Sequence, residues 1–143
     1  MDHLAIMKKN RWLTKRILTG QKTIETRRYM NKSAPWDKIT ADDTVYFKDS
    51  GSLVSVQAKV SHVEQFADLD ERKRKDILKK YSYEDIWTTT ILPEILSYVK
   101  GKKYCIIIHL ANSRAVKPFE IDKTWYGVMS AWITLPNIEK IRI

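Results

Sequence analysis

Between Val54 and Val60 apolar and polar residues alternate without a break: Val54, Val56, Ala58 and Val60 against Ser55, Gln57 and Lys59. A period of two places every apolar side chain on one face of a strand. It commits this stretch to a sheet with one buried face and rules out an all-helical fold. The run Tyr104-Cys105-Ile106-Ile107-Ile108, within an apolar segment from Lys103 to Leu110, reads as a second strand, buried on both faces and central. Leu4–Met7, Lys22–Tyr29, Val45–Phe47, Val116–Ile121 and Trp132–Leu135 add shorter candidates, and 138–143 is placed to close the sheet. A turn at Asp49-Ser50-Gly51 follows the third of these strands.

Helical signals lie between the strands. Asn10 is placed to cap a helix over 11–19 that ends at Gly20, burying Trp12, Leu13, Ile17 and Leu18 and turning Arg11, Lys15 and Arg16 outward. Residues 30–43 read as a long loop anchored by Trp36 and Ile39. A highly charged helix over 68–80 has Ile77 and Leu78 as its anchors. Ser82 is placed to cap a further helix, with Glu84 and Asp85 in its first turn and Trp87, Ile91, Ile95 and Leu96 inward, and Pro93 breaks or kinks it. The order is strand, helix, strands, helices, strands. It predicts an α+β fold with a mixed or antiparallel sheet, most economically a small barrel flanked by helices. The 143 residues are expected to form a single domain.

Charge narrows the function. Lys and Arg number 26 against 17 Asp and Glu, a formal net charge of +9. Such an excess favours polyanions, so RNA, another nucleic acid or a nucleotide is the expected partner. A membrane is not, because no long basic amphipathic helix or spanning segment is evident. With no signal peptide in the sequence, a cytoplasmic protein is expected. The oligomeric state is open, with a monomer as the default. Cys105 is the single cysteine and sits in an apolar strand, where a thiol packs rather than reacts. His3, His62 and His109 have no ligand spacing, and there is no phosphate-binding glycine loop or dinucleotide fingerprint, so neither metal nor cofactor is expected.

The densest polar cluster on a predicted element is GQKTIETR, Gly20 to Arg27. Gly20 permits a sharp helix-to-strand turn and close approach of a ligand. On a strand Glu25 and Arg27 share one face and Lys22 and Arg28 the other, so Lys22 reaches Glu25 only through a turn or bulge near Gly20. Two cations around a carboxylate suit a phosphate, a carboxylate or a polar base edge. They also suit acid–base or nucleophilic work by Lys22 and Glu25, and equally a salt-bridged strand at a sheet edge. Further binding candidates are Lys48, after a strand; Arg114; and Trp125-Tyr126 beside Gly127, where aromatics stack on unpaired bases or serve as core lids.

Gly20-x-Lys22-x-x-Glu25-x-Arg27 resembles the signature of the ASCH domain, a family related to the PUA-like RNA-binding fold, and ITADDTVYF, Ile39 to Phe47, resembles the family's next segment. That segment usually carries Gly-Asp where this chain has Asp42-Asp43. The resemblance implies a β-barrel with an RNA-binding cleft beside the motif. Some small bacterial members resemble amidohydrolases that deacylate N4-acetylcytidine with a lysine, a threonine and a glutamate; others have been proposed as ribonucleases. Lys22 keeps the lysine place, but Glu25 stands where those amidohydrolases have the threonine. The expected function is thus an RNA- or nucleic-acid-binding domain whose basic cleft holds a nucleotide or modified base. The alternatives are a hydrolase acting on nucleosides or nucleic acid, with Lys22 and Glu25 as its acid–base pair, and a protein-interaction domain.

Overall fold

The structure, a computed structural model, describes residues 1–9, 12–86 and 93–143. The elements run β1 (Asp2–Met7), α1 (Leu13–Thr19), β2 (Ile24–Tyr29), β3 (Thr44–Asp49), β4 (Val54–Phe66), α2 (Glu71–Ile86), α3 (Pro93–Val99), β5 (Tyr104–Phe119) and β6 (Trp132–Leu135). A short 3-10 helix, Ile138–Lys140, follows. The six strands form one mixed sheet in the order β2-β5-β4-β3-β1-β6. β1 runs parallel to β3, and the other pairings are antiparallel. The long β4–β5 ladder shifts register at three places, Val54/Val56, Gln57/Lys59 and Val60/His62. Each shift bends the strand and adds twist, which curls the sheet into a half-barrel.

From Val56 onward the alternating stretch of β4 faces the inside of the curl, where Val56, Ala58 and Val60 pack with Phe47, Ile106, Ile108 and Ile17 of α1, whereas Val54, across a register shift, joins the outer cluster. β5 is an interior strand, paired with β2 on one side and β4 on the other, and it is apolar on both faces as its run of residues implied. Ile106 and Ile108 fill the inside of the curl, while Cys105 and Ile107 lie under α2 against Ile77 and Tyr81. A helix on the outer face buries that surface as a neighbouring sheet would. A third cluster joins Leu4, Phe119, Ile133, Leu135, Ile138 and Ile141 on the outer face at the opposite end of the sheet.

Several local expectations are corrected. α1 buries Thr14 and Ile17, whereas Trp12 is 66% exposed and Leu18 also faces solvent, because a seven-residue helix offers the core barely two turns. Ser82 caps no helix; α2 continues through it to Ile86, so Ser82 and Asp85 lie on the buried stripe begun by Leu78 and Tyr81. Pro93 is the first described residue of α3, and the break or kink expected there lies next to residues 87–92, outside the described residues. Val116 to Phe119 belong to β5 and are not a separate strand, and the final segment contributes one isolated bridge, Ile121 to Arg142. Ile39 is buried and Trp36 half-buried, so both anchor the long loop as expected. Asn10, Arg11, Trp87 and Ile91 fall outside the described residues. Among the described residues, no helix is long and apolar enough to cross a membrane.

Candidate nucleotide-sized site between β2 and α2

At the end of α1, Gly20 adopts φ 81° and its N–H donates to the Ile17 carbonyl at 3.2 Å. The chain reverses there, and the Lys22 N–H donates to the Arg16 carbonyl at 3.0 Å. Lys22 therefore sits in the turn before β2, not on the strand, and this supplies the reversal needed to bring it beside Glu25. Thr23 ties the turn to its neighbours: its N–H donates to the Glu84 carbonyl at 2.8 Å, and its carbonyl accepts from Leu110 N–H at 2.9 Å.

Lys22 is only 2% exposed. Its Nζ donates to the Asp85 main-chain carbonyl at 2.8 Å and to Asp85 Oδ1, and lies 3.7 Å from Glu25 Oε1. Two hydrogen bonds to Asp85 and the charge of Glu25 nearby hold the amine in place. The carbonyl belongs to the C-terminal part of α2 as described, so the lysine ties the turn before β2 to that helix.

Glu25 is 5% exposed. Its Oε1 accepts the Thr26 N–H at 3.0 Å, while Oε2 has no hydrogen-bond partner and lies 3.6 Å from Arg27 Nη2. Arg27 is itself held. Nη1 donates to the Ala131 carbonyl at 3.4 Å, Nη2 contacts Met7 Sδ at 3.5 Å, and the guanidinium lies 5.1 Å from the centre of the Trp132 ring.

These groups line a cavity of about 400 Å³, together with Ile6, Met7, Lys8, Leu13, Thr26, Arg28, Leu78, Tyr81, Ser82, Ile95 and Tyr98. Small-molecule sites typically span about 300–1,000 Å³. Leu78, Tyr81, Ile95 and Tyr98 of α2 and α3 give one wall its apolar part, with Ser82 and Asp85 beside them; the motif forms the other wall. Behind the cavity the Tyr81 hydroxyl donates to Glu64 Oε2 at 2.6 Å, and His109 Nε2 lies 2.9 Å from the same oxygen. Hydrogen bonds from His109 and Tyr81 hold the Glu64 carboxyl below its usual range, while burial and the Glu64 bond push the Tyr81 phenol up. Cys105, opposite Arg28 in the β2–β5 ladder, is fully buried, and burial raises its thiol to about 11, so it packs without reacting.

No family model matches the sequence, and comparison with curated proteins finds no match. Solved structures do match in three dimensions. The ASCH protein of Zymomonas mobilis superposes with a TM-score of 0.66 at 14% identity, over 97% of this chain and 90% of that one. A point mutant of the same protein gives 0.67 at 14% identity, over 97% and 93%. The chain has the ASCH fold. The hypothetical protein PH0355 matches less fully, with a TM-score of 0.51 at 17% identity over 81% of this chain and 100% of that one.

On this ASCH-type half-barrel Lys22, Glu25 and Arg27 converge on one cavity, with Gly20 shaping the turn outside it. Lys48, Arg114, Trp125 and Tyr126 do not line it. Arg114 is exposed on β5, where a flipped Gln57 amide accepts from its guanidinium at 2.7 Å. Lys48 is on β3, and Trp125 and Tyr126 lie on the loop before β6. Asp85 and Tyr81 are the residues that sequence reading missed. Their signal was the helical spacing Leu78, Tyr81, Ser82, Asp85, which is visible only if one helix is carried through Ser82.

Proposed function

We propose that this chain binds nucleic acid by holding one nucleotide, or a modified base, in the cavity between β2 and α2. One observation carries the reading: Glu25, whose Oε2 is a buried acceptor with no hydrogen-bond partner, lines a cavity together with Lys8, Arg27 and Arg28. A buried polar atom left unpaired costs about 1–3 kcal/mol, and a ligand N–H recovers it. The exocyclic amine of cytosine or adenine supplies such a donor, and the cations suit its phosphate. The +9 charge favours the same partner. Cytidine and adenosine monophosphates are expected to bind more tightly than uridine monophosphate, with Glu25→Gln erasing that difference. RNA affinity should fall steeply with salt. Failure of every mononucleotide and every RNA to bind at low salt would sink the reading.

Hydrolysis is the second reading. Asp85 gives Lys22 the carboxylate neighbour that an amidohydrolase of N4-acetylcytidine calls for, and Thr26, whose buried hydroxyl has no hydrogen-bond partner, is among the lining residues. Against it, Glu25 has no hydroxyl at the nucleophile's place, and the Lys22 amine is committed to Asp85. A charged, pinned lysine binds anions well and attacks carbonyls poorly. Turnover of N4-acetylcytidine or single-stranded RNA by the wild type, lost in Lys22→Ala with the fold intact, would make hydrolysis the function.

A further inference from the structure

The segment between Ile121 and β6 presents Trp125, Val128 and Met129 to solvent at 88%, 92% and 93% exposure. Few soluble surfaces place three large apolar side chains together in the open without a use for them. The segment is also built to stay in one shape. Lys123 Nζ reaches back to the Val128 carbonyl at 3.0 Å and the Ser130 carbonyl at 2.8 Å. Tyr126 N–H donates to the Lys123 carbonyl at 2.9 Å, Gly127 takes φ 81°, and Asp122 Oδ1 accepts the Thr124 N–H at 2.9 Å. A rigid frame carrying an exposed tryptophan loses little entropy when something stacks on it.

The loop is continuous with the cavity. Its last residue, Ala131, accepts from Arg27, a cavity-lining side chain, and from the Ile6 N–H at 3.0 Å. Ile6 pairs with Lys48 in the β1–β3 ladder, which brings Lys48 to the foot of the same loop. Burial, and after it the charge of Lys48, lowers the pKa of Lys123, so an anion arriving there relieves a repulsion. The nearby carboxylates have partners of their own, Asp122 on Thr124 and Asp49 on the Thr14 hydroxyl.

We propose that the 122–131 loop is a second subsite, where Trp125 stacks on an unpaired base of a single-stranded nucleic acid and Lys48 and Lys123 meet its phosphate. Arg27 is the joint between the two subsites. An aromatic over a cationic foot is the arrangement that grips single strands irrespective of sequence, and the apolar neighbours Val128 and Met129 widen the platform. The inference rests on the nucleic-acid reading of the cavity, which a mononucleotide and an oligonucleotide test separately.

The probes are cytidine monophosphate and an end-labelled, non-self-complementary RNA octamer, titrated at low salt into the wild type, Trp125→Ala and Trp125→Phe. Trp125→Ala is expected to weaken the octamer about tenfold, since one base–aromatic stack is worth about 1–3 kcal/mol, and to leave the mononucleotide unchanged. Trp125→Phe should recover most of the loss, and the octamer should quench tryptophan emission in the wild type but much less in Trp125→Ala. If the mononucleotide fails to bind while the octamer still depends on Trp125, the cavity reading falls and the loop subsite stands. Octamer binding indifferent to Trp125→Ala, or no octamer binding at all, overturns the subsite. So does a Trp125-dependent dimer seen by sedimentation without RNA, which would make the loop a protein contact.

Discussion

Lys22→Met removes the buried ammonium and keeps a side chain of similar length. Asp85 then loses its lysine partner, the Asp85 main-chain carbonyl loses the lysine's donor, and Glu25 keeps the Thr26 N–H and the guanidinium of Arg27 at 3.6 Å but loses its nearby ammonium. The side chains of Lys22, Glu25 and Asp85 are 1%, 6% and 12% exposed, so water relieves little of this. Breaking a buried ion pair by deleting one partner costs about 3–5 kcal/mol. At about 2.1 cal/mol/K per residue, 143 residues give an unfolding entropy of about 0.3 kcal/mol/K, so that loss lowers Tm by roughly 10–17 °C. Removing both partners, Lys22→Met with Asp85→Met, leaves no unpaired charge at Asp85 and should recover a substantial part of the loss. The assay is a double-mutant cycle by thermal denaturation at pH 7.5. A Tm for Lys22→Met within about 2 °C of wild type, or a double variant no better than the sum of the singles, would refute the view that Lys22 holds this junction together.

Gly20→Val puts a β-branched residue at φ 81°, where open space around the added Cβ leaves only backbone strain; a loss of about 1–2 kcal/mol is expected, and an unchanged Tm would show that the turn relaxes. Acid should weaken the fold through the buried pair His3–Asp43, whose Nε2 and Oδ2 lie 2.8 Å apart. Burial lowers the His3 pKa below 6.5 more than Asp43 raises it, so the unfolded chain takes up that proton first. Burial opposes, but bonds from His3 and Thr40 outweigh it to hold the Asp43 carboxyl below 3.8. Both contributions are present above the unfolded pKa and are lost as pH falls, His3 from about 6.5 downward and Asp43 below about 3.8. Tm measured from pH 7.5 to 5 should decline in the wild type and less in His3→Gln, and an equal decline in both would reject His3 as a source.

Local pattern was enough to place all six strands in part, because alternation and β-branched runs reflect a burial that each residue experiences on its own strand. It also singled out the motif: Gly20, Lys22, Glu25 and Arg27 are close in sequence, and a turn at Gly20 is written in the residue itself. What it missed depends on partners far along the chain. The run at Cys105–Ile108 shows that both faces are buried, but not that α2 is what covers the outer one. Trp12 and Leu18 have the spacing of a buried stripe but no surface opposite them. Asp85 reads locally as a carboxylate for a helix N-terminus. Only the packing of α2 across β2, 63 residues from Lys22 in sequence, turns it into the counter-ion at the back of a cavity. Hydrophobic period is a property of a segment, whereas the pairing of buried charges is a property of the closed fold, since desolvation selects the partner only once both side chains have left water.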